Sequence, residues 1–137
     1  MYNQIKNICT TNEWVFTYAR EDFANLYDGE EQVDDTTPLV FLYPPLITET
    51  FGDYNELEST NYTGDFLVLL SSDIDEEDYD YRYQTYIKPL INNTMITIKE
   101  SIQCDNTLSI VTWRITEVLN LFDFNLDGLL ITYSVNG

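Results

Sequence analysis

The chain has no histidine, and only six Lys and Arg stand against 24 Asp and Glu, a formal net charge of -18 over 137 residues. Each absence excludes something. Without clustered Lys and Arg, the chain is not built to clamp nucleic-acid phosphates or to hold an anionic membrane surface. Without His it lacks the commonest general base and the commonest zinc ligand. Its glycines, Gly29, Gly52, Gly64, Gly128 and Gly137, make no phosphate-cradling loop, and no G-x-S-x-G elbow occurs. Cys9 and Cys104 lie far apart, without metal-ligand spacing and with no His to activate either; both are expected as buried free thiols. No run approaches the roughly 18 apolar residues of a membrane-spanning helix, and the first residues form no apolar signal region. The expectation is a protein that is not an enzyme and carries no cofactor or metal.

What is present is enough for a core. Apolar residues make up 44% of the chain, too many for a disordered polyanion. The length suits a single domain, 1–137, since about 100–200 residues is the usual span. The 11 Tyr and 7 Phe favour a sheet-rich fold, because aromatic rings fit a pleated, half-buried surface.

Tyr2, Ile5, Ile8 and Cys9 recur at helical spacing and predict a short N-terminal helix. Trp14–Ala19 reads as a strand, and Arg20–Thr37 as a long polar loop. Leu39–Tyr43, bounded by Pro38 and Pro44-Pro45, predicts a strand buried on both faces. Ile47–Phe51 reads as a short strand, Gly52–Gly64 as a polar, turn-rich stretch, and Asp65–Leu70 as a central apolar strand. Ile87, Leu90, Ile91, Met95, Ile98 and Ile102 form one apolar stripe. They predict a long helix from about Tyr79 to Gln103, or from as late as Tyr86, with Pro89 either kinking it or marking its start. Leu108–Leu119 and Leu129–Val135 read as strands of an antiparallel hairpin turning at Asp127-Gly128. The order predicts an α+β domain: a mixed or antiparallel sheet with the long helix on one face, a short N-terminal helix and a C-terminal hairpin.

Candidate sites are few. Asp73, Asp75, Glu76, Glu77, Asp78 and Asp80 form an acidic block just before or within the first turn of the long helix, where carboxylates complement the positive end of the helix dipole. Solvated surface is the plain reading of such a run, and an electrostatic or interface face the functional one. Asp123, Asn125, Asp127 and Gly128 match the first half of a calcium loop. Ser134 then occupies the position that needs a bidentate Glu, and a strand follows, so a hairpin turn explains the same residues. Tyr79, Tyr81, Tyr83 and Tyr86 read either as a protein-binding surface or as packing.

The layout resembles that of the small head-to-tail connector and tail-completion proteins of tailed bacteriophages. It is most similar to the tail-terminator group, and within it to the versions in Bacteroidetes-infecting, crAss-like phages. The resemblance rests on the short helix leading to Trp14–Ala19, on the polar loop reaching Pro38–Pro44, on Phe66–Leu70 followed by acidic residues, and on the long amphipathic segment with the closing strand Asp127–Tyr133. It spans most of the chain as an order of elements, without a specific motif. It departs at Cys104-Asp105-Asn106-Thr107, where the family layout implies a sharper turn. The resemblance implies a virion structural protein without catalysis, assembled in the host cytoplasm into a six- or twelvefold homo-oligomeric ring at the neck or tail end. Its partners would be neighbouring neck or tail proteins, with no membrane. DNA would pass without specific binding, because a carboxylate-lined lumen repels phosphates. The acidic block would supply that lining, or else Asp22, Asp28, Glu30, Glu31, Asp34 and Asp35. The competing expectation is a DNA-mimic inhibitor of a host defence nuclease, its carboxylates occupying a basic groove.

Either way the folded chain repels itself. Raising NaCl from about 0.02 M to about 0.5 M, which shortens the screening length several-fold, is expected to raise the thermal unfolding midpoint. A midpoint that falls with salt would refute self-repulsion as a destabilising force.

Overall fold

The computed structural model describes residues 1–19, 37–71, 78–121 and 126–137. In chain order the elements are α1 (Tyr2–Asn12), β1 (Val15–Tyr18), β2 (Leu39–Leu42), β3 (Leu46–Phe51), β4 (Leu57–Ser71), a long helix α2 (residues 79–103), β5 (Ser109–Leu121) and β6 (Leu126–Asn136). The strands form one sheet in the order β1-β2-β4-β6-β5, with β3 also paired to β4. β1 runs parallel to β2 and every other pairing is antiparallel. This is the α+β architecture expected: a mixed sheet, a short N-terminal helix, one long bent helix and a C-terminal β5–β6 hairpin.

Alternation along the central strands divides the core. Phe66, Val68 and Leu70 of β4, Val40 and Leu42 of β2, and Leu129, Ile131, Tyr133 and Val135 of β6 face the helices. Leu67 and Leu69 of β4, with Leu39 and Phe41 of β2, form a smaller cluster on the opposite face. β2 is therefore buried at all its residues, as a strand flanked by prolines and apolar throughout should be. Each such side chain contributes about 1.5–3 kcal/mol when fully buried. On the helix side, Phe66 meets Trp113 and Tyr133 at ring-centroid distances of 5.7 and 6.0 Å. Tyr133 pairs across the ladder with Gly64. A Cβ there would lie 3.1 Å from the Tyr133 hydroxyl, so the glycine makes room for the ring.

α1 buries Ile5, Ile8 and Cys9. It ends with Glu13 at φ 60°, in the left-handed region. The Trp14 amide donates to the Cys9 carbonyl (2.8 Å) and the Glu13 amide to the Thr10 carbonyl (3.4 Å), a Schellman ending with Glu where Gly is usual. That turn hands the chain directly to β1.

α2 begins at Tyr79, the earlier of the two expected starts, and Pro89 lies inside it. The helix accommodates the missing N–H by widening on both sides: Tyr83–Ile87 and Leu90–Met95 are π-helical, between α-helical Tyr79–Arg82 and Ile96–Gln103. The Lys88 amide donates to the carbonyl of Tyr83, five residues back. The wide turns shift the buried stripe, so that Ile87, Leu90, Met95, Ile98 and Ile102 are buried while Ile91 is only half-buried. Between α2 and β5, Asp105 accepts hydrogen bonds from the Thr107 amide (2.8 Å) and hydroxyl (2.6 Å). These bonds hold its carboxyl below the usual carboxylate range and make the tight turn that Cys104–Thr107 did not advertise.

Three expectations need correction. Residues 57–64 are strand, not loop: β4 starts at Leu57, and the turn is confined to 52–56. Their polar side chains are satisfied across the ladder, where the Asn61 amide donates to the Ser134 hydroxyl (3.0 Å) and the Asn136 side-chain oxygen (2.8 Å). Asp127-Gly128 is not the hairpin turn, because β6 already runs from Leu126. Cys104 is exposed, and only Cys9 is buried. The polar loop expected at 20–37 lies outside the described residues apart from its last residue.

Burial pushes the Cys9 thiol up to about 12. The Tyr133 phenol is likewise pushed up to about 12 by burial, assisted by Asp65 and then Tyr18. Both groups hold their protons more tightly folded than unfolded. Stability they contribute is therefore complete below pH 9, the ordinary thiol value, and is lost as pH rises toward 12. Chemical denaturation followed across pH 8 to 12 should show a falling midpoint; a flat profile would contradict the burial of both groups.

Candidate functional site

The acidic block is visible only at its C-terminal end, since Asp73, Asp75, Glu76 and Glu77 lie outside the described residues. Asp78 is the N-cap of α2: its Oδ1 accepts from the amides of Asp80 (3.0 Å) and Tyr81 (3.3 Å). Asp80 is exposed in the first turn. Both carboxylates thus sit where the positive end of the helix favours them. Tyr79, Tyr81 and Tyr83 are exposed beside them, while Tyr86 turns into the core. The loop acids Asp22, Asp28, Glu30, Glu31, Asp34 and Asp35 also fall outside the described residues, as do Asp123 and Asn125.

Asp127 has a different role from a calcium ligand or a turn residue. It is wholly buried, and so is Arg82. Arg82 Nη1 lies 3.4 and 3.5 Å from the two Asp127 carboxylate oxygens. The pair ties the first turn of α2 to the start of β6. Gly128 follows because a Cβ there would collide with the Val68 carbonyl oxygen of β4. Sequence reasoning missed this pair, although Arg82 sits four residues before buried Tyr86, on the core stripe of the helix. An arginine on such a stripe calls for a buried acid.

Two further features have the character of a site. The first is a cavity of about 430 Å³ beside Pro89. The helix supplies Thr85, Pro89, Leu90, Asn93 and Thr94, and the sheet side supplies Trp14, Pro38 and Leu70. The second is the β3–β4 hairpin. The ladder of β4 with β6 ends at Asn61 paired to Asn136, whereas β3 continues to Phe51 paired with Leu57. The hairpin therefore extends as a two-stranded arm past the sheet. Every residue of β3 is exposed, including Ile47 and Phe51, and so is Leu57. At the tip the Gly52 amide donates to the Glu56 carbonyl (2.8 Å) and the Tyr54 amide to Glu56 Oε2 (2.9 Å). Asn55 takes the left-handed conformation at φ 62°, which Asn tolerates. Tyr54 at this tip is 92% exposed.

Among the described residues, no group of three or more His, Cys, Asp or Glu is placed to hold a metal ion. No described helix is long and apolar enough to cross a membrane. No protein-family model matches the chain, and no curated protein is similar to it.

Removing one partner of a buried ion pair leaves the other charge uncompensated, at a cost of about 3–5 kcal/mol. Asp127→Ala and Arg82→Ala should each lower stability by that order in urea denaturation. The double variant Arg82→Met with Asp127→Leu should recover much of the loss, because apolar replacement of a whole buried pair is often neutral or better. A loss in the double variant equal to the sum of the two single losses would show that the pair is not coupled.

Proposed function

We propose that this chain is a non-enzymatic structural protein of a tailed-bacteriophage particle, one copy of a closed ring in the neck or at the tail end, past which DNA moves without specific binding. The observation that carries this reading is the β3–β4 arm. A strand exposed at every position, with Ile47, Phe51 and Tyr54 open to solvent, has its natural complement in another chain, because apolar surface gains free energy on burial between partners. The long edge strand β5, with Val111, Ile115 and Leu119 exposed, adds a second surface suited to contact. The net charge of -18 supports a role beside a polyanion that must not stick. The proposed lining is the acidic block that leads into α2, of which Asp78 and Asp80 are the last members. Ring closure needs one surface of each copy to meet a different surface of the next, and an arm at one end of the sheet suits such head-to-tail contacts.

Light scattering coupled to size-exclusion chromatography, with negative-stain electron microscopy, tests this reading. The expected result is a discrete sixfold or twelvefold ring, alone or on addition of particle lysate, with no retention of duplex DNA at low salt. A lone monomer that blocks a DNA-binding enzyme in a salt-sensitive way would overturn it in favour of a DNA mimic.

A further inference from the structure

We propose that the β3–β4 arm of one copy docks in the Pro89 cleft of the next copy, with Tyr54 as the aromatic anchor. The inference rests on the ring reading above and names the contact that would join its copies. Tyr54 stands at a turn already fixed by Glu56, so presenting it costs little ordering on association. The cleft is walled by Trp14, Pro89 and Leu90, with Asn93 at its mouth, and its volume of about 430 Å³ admits a phenol ring with space for the neighbouring Phe51. An apolar wall with a few polar groups is the setting in which tyrosine anchors bind, the ring buried and the hydroxyl bonded at the rim.

The occupant is a second copy because of where the two features stand on β4. Leu70 lines the cleft, and Leu57 begins the arm. Thirteen steps of strand separate them, roughly 45 Å at about 3.4 Å per residue. A chain cannot fill its own cleft with its own arm, so the contact is head-to-tail, and head-to-tail contacts close rings when the rotation permits. Charge agrees with this orientation. The arm carries Glu49, Asp53, Glu56 and Glu58 and no basic residue. All the lysines of the chain, Lys6, Lys88 and Lys99, lie on α1 and α2, with Lys88 exposed beside Pro89. Lys88 beside the cleft orients the contact while burial of the ring drives it.

The test uses the full chain in about 0.5 M NaCl, where long-range repulsion is screened. Tyr54→Ala changes an exposed side chain, and Asn93→Trp fills the cleft from its mouth; both leave the core intact. Each should weaken self-association about thirtyfold or more, as loss of an interface hot spot does, while Tyr54→Phe should retain it. In a Cys104→Ser background, in which Cys9 is buried, a mixture of Asp53→Cys and Asn93→Cys chains, both keeping Tyr54, should give a dimer with a short bismaleimide linker that neither chain gives alone. If the wild type forms rings but both variants assemble equally and the mixture fails to cross-link, the contact is wrong and the ring reading stands. If Asn93→Trp alone disrupts assembly, another segment fills the cleft and the proposal is overturned. A wild type that stays monomeric at every concentration, with no cross-link, overturns both.

Discussion

β4 is longer than any one part of the molecule can cover, and the rest of the structure follows from that. Its 15 residues have β2 and then β3 along one edge and β6 along the other. Where both edges are paired and helices cover one face, its residues are apolar and buried, from Phe66 to Leu70. Where β6 ends, the same strand becomes polar and exposed and leans on β3 alone. The Tyr43-Pro44-Pro45 step between β2 and β3 marks the changeover. Proline offers no amide to the ladder, and Gly64 opposite it yields space to Tyr133. One strand thus belongs to a core at one end and to a projection at the other.

The helix that covers the core is shaped by two local conditions. Arg82 must stay near Asp127, because parting two buried charges costs far more than any surface contact returns. Pro89 must sit within the helix without an amide to donate. A regular α-helix would lose a hydrogen bond there and meet the proline ring with the preceding turn. Wide turns on either side relieve both problems while keeping Ile87 and Leu90 against the sheet. Wide turns of this kind recur at functional positions, and here they border the cleft formed with Trp14 and Pro38. The same proline that bends the helix therefore helps to shape a surface deep enough to receive a side chain.

The buried half of the fold was legible because its residues obey simple periods. Leu39–Leu42 and Phe66–Leu70 are unbroken apolar runs, and Ile98 and Ile102 continue a helical stripe. The arm was not legible for a physical reason. Of residues 57–64 only Tyr62 packs against the core, and it is half-buried, so no hydrophobic alternation marks them, and their order comes mainly from backbone pairing and from amide and hydroxyl side chains that find partners only across the sheet. Asp127 misled for another reason. Asp-Gly is a turn signal when the backbone alone decides, but a cation on a neighbouring element overrides it. The acidic block could be read as a helix start from local electrostatics, and Asp78 caps α2 accordingly. Its other proposed duty depends on neighbours that no local pattern encodes.

The charge is unevenly distributed, and this bears on how so acidic a chain could associate with itself. α1 carries Lys6 and no acid, and residues 83–103 carry Lys88 and Lys99 against Glu100. The helical layer is therefore a broad described surface that does not share the sign of the whole. The arm, by contrast, is acidic throughout. Two like copies approaching at random repel, whereas an arm approaching a helical layer meets attraction over the last few ångströms, within a screening length of about 8 Å at physiological salt. Net repulsion then works against disordered clumping and leaves one relative orientation favoured. On this view the excess negative charge and the ability to assemble are compatible, because the three lysines all stand on the helical layer that a neighbouring copy would have to meet.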